Sequence, residues 1–137
     1  MSYQSRRSFL NTAGFTLAVT SFFGFSTKTA VKKPMKNIFV HHVYFWLKNA
    51  DSAEDRAKLL EGLEKLSKVK SIRSLHMGKP ADTSRDVIDG SYTISWLTVF
   101  KNKADQDSYQ VDPIHLAFVK DYAHLWSKVV VYDSVDV

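Results

Sequence analysis

Tyr109 and His115 stand six residues apart, with Pro113 between them. A proline inside a helical run breaks or kinks it, and such a kink would turn both side chains toward one space. A neutral imidazole, with an ordinary pKa near 6.5, accepts a proton close to neutral pH. A tyrosine hydroxyl donates a hydrogen bond to a carbonyl oxygen as negative charge develops on it. Together the pair suits enolisation next to a carbonyl. His42, on the opening apolar segment, is placed to hydrogen-bond a ligand or His115. The same residues also suit a bland role, satisfying backbone groups or capping the kink. An apolar wall around the pair is expected from Tyr44, Trp46, Leu59, Leu63, Trp96, Phe118, Val129 and Val131. Small-molecule sites are lined this way, but so are ordinary cores.

Metal chemistry finds little support. The chain has no cysteine. His41 and His42 are adjacent on a strand and point to opposite faces, so they cannot chelate one ion together. His76, His115 and His124 lack the i, i+4 spacing of helical metal ligands. No metal and no cofactor are expected; haem would need ligands converging from distant segments.

The elements that position these residues begin after residue 30. Ser5-Arg6-Arg7-Ser8-Phe9-Leu10 precedes an uncharged, moderately apolar stretch from Asn11 to Thr27. A basic start followed by such a stretch reads as an export signal, and the arginine pair resembles the twin-arginine type. Residues 1–30 are therefore expected to be a signal to a bacterial periplasm, 31–36 a solvated linker and 37–137 the folded domain. The full chain has 19 basic and 14 acidic residues, a net charge of +5. Without Arg6, Arg7 and Lys28 the basic count is 16, and the net charge falls to +2. That balance, with no basic stripe, disfavours nucleic acid as a partner. No apolar run reaches the ~20 residues of a membrane span, so no membrane association is expected once the signal is gone.

Within the domain, residues 38–47 are β-branched and aromatic without Gly or Pro, a strand whose two faces are both apolar. Asp51 or Ser52 opens a helix with Leu59, Leu60, Leu63 and Leu66 at helical spacing. Gly62 inside it costs about 1 kcal/mol relative to Ala, as if something bulky came close. Residues 71–79 and 92–100 read as strands around a polar loop at 80–90. A second helical region starts at 102–105, breaks at Asp112-Pro113 and runs to about Trp126; 128–135 is the last strand.

The order β-α-β-β-α-β predicts an α+β, ferredoxin-like fold with a four-stranded antiparallel sheet. Two helices cover one face of such a sheet. The other face, if bare, would be an apolar patch of several hundred Å². At ~25 cal/mol per Å², covering it favours association by several kcal/mol before ordering costs. A homodimer packed through the sheet face follows.

The strand His42–Lys48, the Met77-Gly78-Lys79 strand end, the segment Ser108–Val119 with its Tyr-x-x-x-Pro-x-His pattern, and the closing Trp126–Asp133 resemble the stress-responsive A/B barrel (Dabb) family over residues 37–135. The resemblance implies a dimeric α+β barrel with a small cavity between sheet and helices in each subunit. It also implies, from a plant polyketide cyclase of the family, cofactor-free chemistry by a Tyr and a His matching Tyr109 and His115. Asp112 stands where that cyclase has another His, and Leu59, Leu60 and Gly62 near its bulky aromatics, so the same substrate is not implied.

Three functions fit: an exported dimer holding a small apolar or aromatic molecule, a cofactor-independent lyase, cyclase or isomerase using Tyr109 and His115, and a ligand-free stress-protective oligomer.

Overall fold

The structure, a computed structural model, describes residues 30–137. The expected export signal lies almost wholly outside them. The compact unit Lys33–Val137 contains β1 (Phe39–Leu47), α1 (Ala53–Leu66), β2 (Ser74–Gly78), β3 (Ile94–Phe100), α2 (Lys103–Val111), α3 (Pro113–Tyr122) and β4 (Trp126–Val135). All neighbouring strands are antiparallel, in the order β2-β3-β1-β4. No described helix is long and apolar enough to cross a membrane.

The start signals act as their chemistry requires. The Ser52 hydroxyl accepts from the Asp55 N–H at 3.1 Å and caps α1, with Glu54 and Asp55 in the first turn. The second helical region is two helices. Asp112 ends α2, and its carboxylate accepts from the Ile114 N–H at 2.8 Å to start α3, with Pro113 in the first turn. β2 starts at Ser74 rather than Ser71, because the turn leaving α1 persists: the Ile72 N–H donates to the Val69 carbonyl at 3.2 Å.

β1 alternates strictly. Phe39, His41, Val43, Phe45 and Leu47 are buried, while Val40, His42, Tyr44 and Trp46 are half-buried. Register extends each face sideways. Phe45, Val43, His41 and Phe39 stand opposite Ile94, Trp96, Thr98 and Phe100 of β3. These residues face the helices and form the core with Leu59, Leu63 and Leu66 of α1, Tyr109 of α2 and Phe118 of α3. Gly62 is explained here: a Cβ would lie 2.9 Å from ring atoms of Tyr122, so only glycine lets that ring lie across α1.

No helix of the described residues lies over the opposite face. Its β1 row of Val40, His42, Tyr44 and Trp46 is flanked by Leu97 and Val99 of β3 and by Val130 and Tyr132 of β4. Tyr44 makes edge contacts with Tyr92 at 4.8 Å and Tyr132 at 6.0 Å between ring centroids. The Lys128 ammonium sits 4.4 Å from the Trp46 ring centroid.

Candidate functional site

α2 and α3 do bring Tyr109 and His115 together. Their ring centroids are 4.6 Å apart, tilted at 55°. The break at Asp112-Pro113 accomplishes this, since it lets α3 restart with His115 in its first turn. Tyr109 is 1% exposed. Its hydroxyl accepts a hydrogen bond from the Trp96 indole N–H at 3.2 Å. Burial pushes the phenol well above its ordinary range, so it is a neutral donor and not a base.

His115 is half-buried. Its Nδ1 lies 3.1 Å from the Gln110 carbonyl oxygen, which can only accept. Nδ1 therefore carries the proton, and Nε2 keeps a free lone pair. Burial holds this imidazole below its usual pKa and His41 adds to the lowering, while the Gln110 carbonyl and Asp112 oppose it. It is a neutral base at neutral pH.

The third member is His41, not His42. His41 is 5% exposed and lies edge-on to Tyr109 at 5.8 Å between centroids. Asp133 stands directly opposite it on β4, and the His41 Nδ1 is 2.6 Å from the Asp133 Oδ1. A carboxylate only accepts, so this Nδ1 is also the protonated nitrogen. The Thr98 hydroxyl donates to the His41 carbonyl at 3.2 Å and ties the strand in place. The result is a helix-side cluster of His41, Asp133, Tyr109, His115 and Trp96.

The expected apolar wall splits. His42, Tyr44 and Trp46 are on the bare sheet face, across the sheet from Tyr109 and His115; they cannot line one space with them, because strand side chains alternate. His42 Nδ1 pairs with the Tyr44 hydroxyl at 3.1 Å instead of reaching His115. Its Nε2 is buried with no hydrogen-bond partner among the described residues. Burial first, then the charges of His76 and His41, lowers its pKa. Leu59, Leu63, Trp96 and Phe118 are on the helix side, but packed as core. The buried Trp96 indole packs against the Tyr109 hydroxyl, where a hollow is expected from the sequence.

Val129 and Val131 stand opposite Phe45 and Val43, so they too are on the helix side. Yet each is 41% exposed, because β4 is an edge strand whose outer length carries no helix. Leu116 and Val119 of α3 are also exposed. The cluster therefore has an open apolar shoulder on β4, where the Asp133 side chain is 45% exposed.

Neither His41 nor Asp133 stands in a motif that marks it as a site residue. The signal for His41 was present: it is the one polar residue in the set Phe39, His41, Val43, Phe45, Leu47, and a buried polar group needs a partner. Among the described residues, no group of three or more His, Cys, Asp or Glu is arranged to hold a metal ion.

Comparison with known proteins gives the family context. The profile of the stress-responsive A/B barrel domain (Dabb) matches residues 39–136. No curated protein matches the chain. Among solved structures, a Dabb family protein of ferredoxin-like fold from Mesorhizobium loti is 24% identical. The match covers 73% of this chain and 97% of that one, with a TM-score of 0.62. The hydroxynitrile lyase of Passiflora edulis is 20% identical over 75% of this chain and 96% of that one, with a TM-score of 0.61. A dimeric ferredoxin-like protein of unknown function from Thermobifida fusca is 15% identical over 74% and 92%, with a TM-score of 0.60. At these identities the likeness is one of fold.

Proposed function

This chain belongs to the stress-responsive A/B barrel family, and from that premise we propose that it is an exported homodimer that holds a small, mainly apolar molecule against His115. The observation that carries the reading is the paired fixation of two imidazoles. His41 and His115 each commit Nδ1–H to a fixed acceptor, Asp133 and the Gln110 carbonyl, and both rings lie against Tyr109. A packed core has no need of that much polar machinery. The ligand enters from the β4 shoulder, where the exposed Val129 and Val131 offer apolar contact. A ligand with a carbonyl or hydroxyl group matches the neutral His115 base.

The dimer forms through the bare sheet face. Its Tyr44, Trp46, Leu97, Val130 and Tyr132 give a self-complementary apolar surface. Several solved proteins of this fold are dimeric, which supports the same assembly here. Export rests on the Arg6-Arg7 pair and the uncharged stretch after it.

A second reading follows from the same atoms. With Nε2 of His115 as base and neutral Tyr109 as donor to a developing oxyanion, the cluster suits cofactor-independent proton abstraction beside a carbonyl, the chemistry of a lyase or isomerase. Because the Tyr109 oxygen accepts from Trp96, its own O–H is left to donate. A hydroxynitrile lyase on this fold supports acid–base chemistry as within the scaffold's reach.

Thermal unfolding with a panel of small aromatic and aliphatic aldehydes, ketones and alcohols tests the first reading. A bound compound at 100 times its Kd adds about 2.7 kcal/mol. His115→Ala should remove that gain. Turnover of the bound compound, lost in His115→Ala, would move the function to the second reading. A panel without any stabilisation contradicts both.

A further inference from the structure

A recess of about 450 Å³ lies away from the His115 cluster, between the first half of α1 and the ends of β2 and β3. Its volume is within the range of small-molecule sites. Ala53, Arg56, Ala57 and Leu60 line it from α1. Their spacing of three, four and seven residues places them on one flank of the helix. The two alanines keep that flank low and leave room between helix and sheet. Leu60 is the one leucine of the α1 stripe that stays exposed, at 39%, and it borders this space with Met77 and Ile94.

The polar part of the lining is one-signed. Among the described residues that line it, Arg56 and Lys79 are the only charged ones. The ion pairs among the described residues use other side chains, so neither cation is neutralised by a neighbouring carboxylate. The nearby acids are engaged elsewhere: Glu54 with Lys58, and Asp55 with the Asn49 amide. Arg56 donates one Nη1–H bond to the Ala50 carbonyl, which restrains its guanidinium. Two unpaired cations beside an apolar floor call for a ligand with an apolar body and a single anionic head.

We propose that this recess binds a small amphiphilic carboxylate, its apolar body against Leu60, Met77 and Ile94 and its acid group between Arg56 and Lys79. The site stands apart from the one at His115 and does not depend on it.

Calorimetric titration of the full chain with octanoate, and with 1-octanol as the uncharged match, tests this. Octanoate should bind once per chain, about tenfold or more tighter than 1-octanol. Arg56→Gln with Lys79→Gln should bring octanoate down to the level of the alcohol. Leu60→Trp, which fills the recess from the exposed side of α1, should weaken both, with folding checked by circular dichroism. His115→Ala should leave octanoate binding unchanged, so this site and the cluster fail or succeed separately. Equal affinity for acid and alcohol, unaltered octanoate binding in the double Gln variant, loss of binding in His115→Ala, or no heat at millimolar octanoate would each overturn the proposal.

Discussion

The Trp96 indole N–H donates to the Tyr109 hydroxyl at 3.2 Å, with both side chains 1% exposed. This bond joins β3 to α2 in the centre of the helix side and packs the indole against the Tyr109 hydroxyl. Tyr109→Phe leaves the indole N–H buried without an acceptor, and a lost partner of that kind costs about 1–3 kcal/mol. Trp96→Ala removes the indole itself and should cost about 3–5 kcal/mol. Urea unfolding midpoints measure both; a neutral Tyr109→Phe would mean that the bond does not hold the core together.

Gly62→Ala should destabilise although alanine is the better helix former by about 1 kcal/mol. The new methyl meets the Tyr122 ring at 2.9 Å, and overpacking of that kind costs about 1–3 kcal/mol. In a Tyr122→Ala background the same substitution should become stabilising. A gain in the wild-type background, read by the same unfolding curves, would contradict the close approach of Tyr122.

Stability should fall between pH 7.5 and 5. His42 and His115 both have folded-state pKa values below the ordinary one, mainly through burial. Well above pH 6.5 both are neutral, folded or unfolded, and protonation does not separate the two states. As the pH drops below 6.5 the unfolded chain takes up protons first, and the folded state loses ground until the folded values are passed. His115→Gln should flatten part of the slope. Stability that is level or rising over this interval would contradict the assignment.

Tyr44→Arg puts a charge in the middle of the bare sheet face, 4.8 Å in ring distance from Tyr92 in the parent structure. Burying an unpaired charge at an interface costs several kcal/mol, enough to split a modest dimer. Sedimentation equilibrium should give twice the chain mass for the parent protein and one chain for the variant. A parent protein of one chain mass would remove the dimer from the account.

Much of the fold was legible because each element carries its own punctuation. Ser52 and Asp112 cap, Pro113 restarts a helix, and β1 lacks Gly and Pro. The site was less legible. His41 and His42 differ by one position on a strand with two apolar faces, and alternation says only that they part. Which of them meets Tyr109 depends on which face the helices cover, a tertiary fact. Trp96 shows a second limit. Its position on the helix face follows from alternation, but whether an indole lines a cavity or fills it depends on the volumes of Leu59, Leu63 and Tyr109 around it. Asp133 became visible only through the β1–β4 register that sets it opposite His41.

The most direct test of the site is nuclear magnetic resonance of the protein, with imidazole, indole, and valine and methionine methyl signals followed during titration with benzaldehyde, a small aromatic carbonyl compound. The account expects saturable shifts at His115, His41, Val129 and Val131, and none beyond noise at Trp46 or at Met77. Shifts confined to the bare sheet face, or no saturable change at His115, would contradict a ligand site at the cluster.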